Sequence, residues 1–338
     1  MISDALKKIV AGQNLSADES AEVMSCIMEG QATPVQIGAF LVALRMKGET
    51  SEEISGFARS MREHSIKVPA TRPVLVDTCG TGGAARKTFN ISTTSAFIAA
   101  GAGVAVAKHG NRAASSLCGS ADVLEALGVN LDVTPERLGK IIDEVGVGFL
   151  FARALHPAMK FAAPVRSELG VRTVFNMLGP LTNPAGAKRQ VLGVFEPWGV
   201  ELLAGALQQL GTERAMVVHG LEGLDEISTL GETMVSEVKD GGVKSYSLKP
   251  SDVGLKPGSI EEIGGGDAAH NAEVFQQVLS GGAPAAREIA CLNAAAALYV
   301  AGVVDNLQDG LAKADISVSS GAAEEVFRMY KDRTNQTQ

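Results

Sequence analysis

Cysteine is sparse and scattered. The four thiols, Cys26, Cys79, Cys118 and Cys291, show no Cys-x-x-Cys spacing, which excludes a disulfide scaffold and a paired zinc or redox motif. A basic excess is missing too: Lys and Arg total 30 against 38 Asp and Glu, a net charge of −8. An acidic chain without a basic tail is poorly suited to general nucleic-acid binding. Any anionic ligand then requires positive charge gathered locally. No uninterrupted apolar run reaches the roughly 18–20 residues of a membrane helix; the richest, 96–107, is broken by Gly101 and Gly103. The first residues, Met1-Ile2-Ser3-Asp4, lack the basic-then-apolar order of a signal peptide. The expectation is a cytoplasmic protein with no membrane and no nucleic-acid partner. Internal repeats are absent as well.

What is present is length and glycine. The chain has 338 residues, 46% of them hydrophobic, enough for a large core and for two domains. Its 38 glycines gather in short loops, a pattern suited to close backbone–ligand contact.

The first seventy residues read as helices alone. Ser16…Glu19, Thr33-Pro34…Gln36 and Thr50…Glu53 have the capping-box form. Behind the second box Ile37, Phe40, Leu41 and Leu44 share one helical face; behind the third, Ile54, Phe57, Ala58 and Met61 do the same. This predicts a small helical bundle over residues 1–70. From Pro73 the character changes. Short apolar runs predict strands over 74–77, 104–107, 147–151, 190–195, 215–219 and 233–238. Helical stretches, 92–102, 121–127, 135–145 and 200–209, separate most of them. That alternation predicts an α/β domain over 71–338 with a mostly parallel sheet covered on both faces. Residues 169–183 read as helical, and from Asn271 onward the chain is largely Ala-rich helix.

Several loops carry chemistry-bearing residues. Asp77-Thr78-Cys79-Gly80-Thr81-Gly82-Gly83 follows the first predicted strand. It is either a tight strand-to-helix turn or a cradle for phosphate oxygens, and it matches neither GxGxxG nor the P-loop pattern. Asn90 to Ser95 opens a helix, where Asn90 or Ser92 can cap the backbone or serve a docked phosphate. Lys108-His109-Gly110-Asn111-Arg112-Ala113-Ala114-Ser115-Ser116 follows the second strand, at the end of a parallel sheet where such folds bind ligands. Asp225-Glu226 is either a solvated pair or a hard-cation site. Arg166 is either a surface ion-pair partner or a carboxylate clamp.

In order along the chain, Gly80-Thr-Gly-Gly83, Asn90-Ile-Ser-Thr93, Lys108-His-Gly-Asn-Arg112, Gly119-Ser-Ala-Asp122 and Gly223-Leu-Asp-Glu226 resemble the anthranilate phosphoribosyltransferase family. His156-Pro-Ala-Met-Lys160 and Leu178-Gly-Pro-Leu-Thr-Asn-Pro184 extend the resemblance over essentially the whole chain. It implies a nucleoside phosphorylase-like fold, with residues 169–183 returning to the small helical domain, and a homodimer joined through the helical parts. It implies transfer of the 5-phosphoribosyl group from phosphoribosyl pyrophosphate to anthranilate in tryptophan biosynthesis, with Mg2+. Lys108, Asn111 and Arg166 would be the catalytic residues. Gly80, Gly83, Ala84, Thr88, Asn90, Ile91, Ser92, Thr93, Lys108 to Ser116 and Ser120 would surround the donor. Gly80, Asn111 and Arg166 would contact anthranilate, and Ser92, Asp225 and Glu226 would hold the metal. A pyrimidine nucleoside phosphorylase shares the architecture, but its glycine loop differs from Asp77-Thr78-Cys79-Gly80. The chain departs from the family pattern at Ala84, where Asp is usual, at Leu117-Cys118 in place of Lys-Ser, and at Arg153, where proline is common.

Overall fold

In the computed structural model, residues 1–113 and 117–336 are described; Ala114, Ser115 and Ser116, expected above to bind the donor, lie outside them. The chain opens with α1 (Ile2–Val10), α2 (Ala17–Met28), α3 (Pro34–Lys47) and α4 (Ser51–Glu63). All three expected capping boxes form. Glu53 does more than cap: its buried carboxylate accepts the Leu15 N–H at 3.0 Å and pairs with Lys47 at 2.9 Å. The start of α4 is thereby tied to the chain on either side of α2 and α3. Phe40 and Phe57 meet edge to face at 6.0 Å between the helices.

The α/β part continues with β1 (Val76–Gly80), α5 (Ile91–Gly101), β2 (Val106–Gly110), α6 (Ser120–Ala126), α7 (Pro135–Val145) and β3 (Val147–Phe151). Three short helices follow, α8 (Ala152–Leu155), α9 (Ala163–Leu169) and α10 (Phe175–Leu178), with a 3-10 turn at Pro157–Phe161 and another at Gly179–Leu181. Then come β4 (Arg189–Gly193), α11 (Gly199–Gln209), β5 (Arg214–Gly220), β6 (Thr233–Lys239) and β7 (Gly242–Leu248). The chain ends with α12 (Ala268–Leu279), α13 (Pro284–Ala301), α14 (Leu307–Ser319) and α15 (Ala322–Asn335).

The strands form one sheet in the order β3-β2-β1-β4-β5-β6-β7. Neighbours from β3 across to β5 are parallel, and β6 and β7 add an antiparallel edge. The order reverses between β1 and β4, so a crevice opens beyond the carboxyl ends of these two strands. One face of the sheet is covered by α5, α12, α13 and the C-terminal helices around Phe97, Phe275 and Tyr330. Leu192, Val194 and Val217 join a second core together with α1–α4, α11 and residues Val165, Val174, Phe175, Leu178 and Leu181.

The expected strands are present, with three differences. β1 and β2 end at Gly80 and Gly110, so Thr78, Cys79, Lys108 and His109 are strand residues rather than loop residues. An apolar-run criterion stops at the first charge, whereas Asp77 is buried with its acceptors filled by the His109 N–H at 3.0 Å and Asn183 Nδ2 at 2.8 Å. β7 was not expected; its signal is the two-residue Asp240-Gly241 turn, with φ of 50° and 76°, the geometry that joins twisted hairpin strands. Beyond the last residue of α9, residues 169–183 contain only α10 and a 3-10 turn, because Gly170 ends α9 in a left-handed conformation. No helix among the described residues is long and apolar enough to cross a membrane.

Candidate active site

A cleft of about 1070 Å³ opens over the crevice between β1 and β4. Its floor is the glycine loop after β1, the start of α5 and the end of β2; its far wall is the segment from Ala152 to Asn176. The volume is sufficient for two small-molecule substrates side by side.

The glycine loop is anchored at the switch point: Thr81 donates its N–H to Gly193 O at 2.9 Å and accepts the Phe195 N–H on its hydroxyl at 3.1 Å. Across the cleft, Arg172 donates to Gly83 O at 2.8 Å and lies over the Phe195 ring at 4.2 Å. The loop therefore keeps its shape from both sides.

Lys108 is buried, and its ammonium donates to Thr78 O and, at 3.2 Å, to Ser92 Oγ. Burial pulls its pKa down, while Asp77, Asp225 and Glu226 act against that shift. Glu226 sits on the N-terminus of α5, accepting the Ser92 N–H at 3.2 Å. Helix N-termini favour such negative charge. Burial, reinforced by neighbouring Asp225, nevertheless pushes Glu226 up to about 8, and burial raises Asp225 too. Two crowded carboxylates beside a serine hydroxyl suit a hard divalent cation held partly by protein and otherwise by water and phosphate oxygens. Among the described residues no group of three or more His, Cys, Asp or Glu could hold a metal by itself, so Ser92, Asp225 and Glu226 fit magnesium of that shared kind rather than a closed cage.

Asn90 stands at the N-cap of α5 without making a side-chain cap. Its amide instead accepts from Asn271 Nδ2 at 2.9 Å and donates to Cys118 O at 3.4 Å. The capping role expected of Asn90 or Ser92 is filled by Glu226. Thr88, Ile91, Ser120, Ala84 and Ala113 all reach the cleft surface. Thr93 does not: its side chain is fully buried, with no hydrogen-bond partner for Oγ1 among the described residues. One helical step from Ser92 turns it into the core.

Asn111 and Arg112 line the cleft, but Arg112 is engaged by Asp122 at 3.1 Å and Glu125 at 2.7 Å. Asp122 also accepts the N–H groups of Ala113 (2.9 Å) and Gly119 (2.8 Å), folding this loop back on the start of α6. His109 Nδ1 faces Gly179 O at 3.0 Å. A carbonyl only accepts, so Nδ1 carries the proton and Nε2 is an acceptor. His156 Nε2, 3.2 Å from His109 Nε2, must then be the donor. Burial lowers the two rings to about 3 and about 4, respectively, so both are neutral at pH 7.

Arg166, half-buried on α9, places its guanidinium over the Phe175 ring at 5.2 Å, and desolvation lowers its pKa. Arg172 and Asn271 are site residues that the sequence did not single out: one falls in a segment patterned as helix, the other in an Ala-rich helix start, and neither carries a local signal.

Residues 3–65 match the helical bundle domain, and residues 72–324 the a/b domain, of the glycosyl transferase family. The anthranilate phosphoribosyltransferase of Anaeromyxobacter dehalogenans (strain 2CP-C) is 57% identical over 328 residues, 97% of each chain. That of Moorella thermoacetica is 54% identical over 96% of this chain and 95% of its own. Among solved structures, the Thermus thermophilus enzyme superposes with a TM-score of 0.92 at 47% identity, covering 98% of this chain and 100% of that one. The Saccharomyces cerevisiae enzyme in complex with PRPP and Mg gives a TM-score of 0.89 at 28% identity, over 98% and 97%. The chain belongs to the glycosyl transferase family and, within it, to the anthranilate phosphoribosyltransferases.

Proposed function

We propose that the cleft transfers the 5-phosphoribosyl group of phosphoribosyl pyrophosphate to the amine of anthranilate, giving N-(5-phosphoribosyl)anthranilate and pyrophosphate for L-tryptophan biosynthesis. The observation that carries this reading is Lys108, a buried cation set between the Asp225-Glu226 pair and the glycine loop at the sheet's switch point. The donor's phosphates would lie against the N–H groups of the glycine loop, the first turn of α5 and Lys108. Magnesium, when held by Ser92, Asp225 and Glu226, would supply charge neutralisation for the leaving pyrophosphate.

The sugar C1–O bond breaks with its electron pair going to pyrophosphate, the anthranilate nitrogen forms the C1–N bond, and the nitrogen loses a proton to water. Lys108 and the backbone donors stabilise the departing oxygens. Arg166 holds the anthranilate carboxylate, with Asn111 and the Gly80 backbone bordering the ring, so that the amine faces C1. The aromatic amine is a neutral nucleophile, so positioning supplies most of the remaining catalysis. Neither a covalent intermediate nor a dedicated base is needed.

The chain is further proposed to work as two lobes, residues 1–70 joined by 169–183 and the α/β remainder, in a cytoplasmic homodimer paired through the helical lobes. The test of the reaction is direct: purified protein with anthranilate, phosphoribosyl pyrophosphate and magnesium should deplete anthranilate fluorescence. A folded sample without turnover refutes it.

A further inference from the structure

The helix α13 is Ala-rich and largely buried, yet it carries one carboxamide, Asn293, at its centre. Asn293 is 2% exposed and stands outside the cleft lining. A buried amide in an apolar helix costs free energy unless its donors and acceptor are matched. Here the match is to one residue far along the chain. Asn293 Oδ1 accepts the Ile227 N–H at 2.9 Å, and Asn293 Nδ2 donates to Ile227 O at 2.9 Å. The second amide proton goes to Ile289 O, one turn back in the same helix, at 2.9 Å. The carboxamide thus pairs with both backbone polar groups of Ile227, as a neighbouring strand would.

Ile227 directly follows the Asp225-Glu226 pair. The residue after it is fixed too: the Ser228 N–H donates to Thr233 Oγ1 at 2.9 Å, and the Ser228 hydroxyl accepts the Leu230 N–H at 2.9 Å. Ahead of the pair, Gly220 and Leu224 exchange backbone hydrogen bonds of 2.9 and 3.2 Å. The carboxylates therefore stand on a short span of backbone fastened at both ends.

The same helix also braces Ser92. Ala290 O lies three residues before Asn293, hence on the same helical face, and accepts Ser95 Oγ at 2.9 Å. Ser95 is about one turn beyond Ser92 in α5. One face of α13 holds both halves of the site in register, Ser92 through Ser95 and Asp225-Glu226 through Ile227.

We propose that Asn293 is a positioning residue that keeps the Asp225-Glu226 carboxylates aligned with Ser92 for a divalent cation. The inference rests on the metal role assigned above to those three residues. Asn293 touches neither substrate nor cation; it acts through the Ile227 backbone. Without the carboxamide, the buried Ile227 N–H and O lose their partners, and the span shifts to find others.

The experiment compares the unsubstituted chain with Asn293→Ala, Asn293→Ser, Glu226→Gln and the control Ser317→Ala. Ser317 is also 2% exposed and donates to Ile98 O at 2.8 Å, so its loss cuts a buried helix-to-helix hydrogen bond away from the carboxylates. Three quantities are measured: binding of Mn2+, an oxygen-seeking stand-in for magnesium, to the substrate-free protein by electron paramagnetic resonance; the magnesium half-saturation of turnover; and the denaturant midpoint. Asn293→Ala should raise the Mn2+ dissociation constant and the magnesium half-saturation by about tenfold. Saturating magnesium should restore most of kcat, and KM for anthranilate should stay unchanged. Asn293→Ser, whose hydroxyl can match only one of the two Ile227 groups, should fall between. Ser317→Ala should lower the denaturant midpoint without moving either metal readout. Asn293 variants that shift the metal readouts no more than Ser317→Ala does, or that are both unfolded where Ser317→Ala folds, make Asn293 a core residue only and overturn the proposal. Unchanged metal readouts in Glu226→Gln are a different result, which overturns the metal assignment and with it the site that Asn293 is argued to align.

Discussion

The carboxylate of Asp225 occupies the space that a side chain on Gly80 would need: a Cβ at Gly80 would stand 2.8 Å from Asp225 Oδ2. At the end of the neighbouring strand, a Cβ on Gly193 would stand 1.6 Å from Asp225 O. Two parallel strands thus end in glycine so that the carboxylate loop can lie across them. Gly80→Ala should displace the Asp225 carboxylate while leaving the backbone in place. The expected outcome is a magnesium half-saturation raised by roughly tenfold, about 1.4 kcal/mol of lost metal affinity, with most of kcat recovered at saturating metal. Gly193→Ala meets backbone rather than a movable side chain and should cost about 3 kcal/mol of stability or more by chemical denaturation. An unchanged magnesium dependence in Gly80→Ala would remove Asp225 from the metal site.

The Asp225-Glu226 pair also sets a pH dependence. Glu226, raised to about 8 by burial and then by Asp225, retains a proton at pH 7 in the metal-free protein. Metal binding requires that proton to leave. Magnesium affinity should therefore rise by up to tenfold per pH unit below about 8 and level off above it, with proton release seen by calorimetry in buffers of different ionisation enthalpy. The stability sign is opposite. A carboxyl raised in the folded state binds more protons there than in the unfolded chain, so metal-free stability declines as pH rises from about 4 through about 8. Saturating magnesium should remove most of that decline. A metal affinity flat from pH 6.5 to 8.5 contradicts a protonated Glu226 in the metal-free protein.

Local rules were strong where a residue's role is local. The capping boxes at Ser16, Thr33 and Thr50 form as expected, and α7 and β3 have the expected bounds. Those rules failed where partners lie far along the chain. Asp77 reads as the end of the first strand, but Asn183, 106 positions away, satisfies its carboxylate in the interior of β1, which runs on to Gly80. Asn90 is a good N-cap by type, yet Asn271 and Cys118 take its amide and Glu226 takes its place. Arg172 reaches Gly83 across 89 positions. The glycine loop, the lysine and the carboxylate pair were legible because backbone access and charge are written into residue type. Which of them are tied down by other side chains depends on the tertiary fold.

Lys108 offers a test of the donor side. Its ammonium is shared between Thr78 O and Ser92 Oγ in a buried setting, so it is fixed before the donor arrives. Lys108→Ala removes a preorganised charge from the leaving group. The expectation is a fall of about 10²–10³ in kcat/KM for phosphoribosyl pyrophosphate, with the dissociation constant for anthranilate nearly unchanged. It should also destabilise the protein by about 3 kcal/mol, because buried carboxylates lose their counter-charge. A defect confined to anthranilate binding would contradict the placement of Lys108 on the donor side.

Arg166 should behave in the opposite way. Its guanidinium is desolvated, has no carboxylate within ion-pair distance among the described residues and is set over Phe175 at 5.2 Å, so its fork is available for a ligand carboxylate and its orientation is restrained by the ring. A charge-assisted pair of this type contributes about 1.5–3 kcal/mol. Arg166→Ala should accordingly raise KM for anthranilate by roughly 10- to 100-fold while changing KM for the donor by less than about threefold. Arg166→Lys keeps the charge but loses the planar fork and its stacking, and should recover only part of the loss. Steady-state kinetics with each substrate varied in turn decides the matter. Equal losses for both substrates would mean that Arg166 holds the cleft together rather than the acceptor.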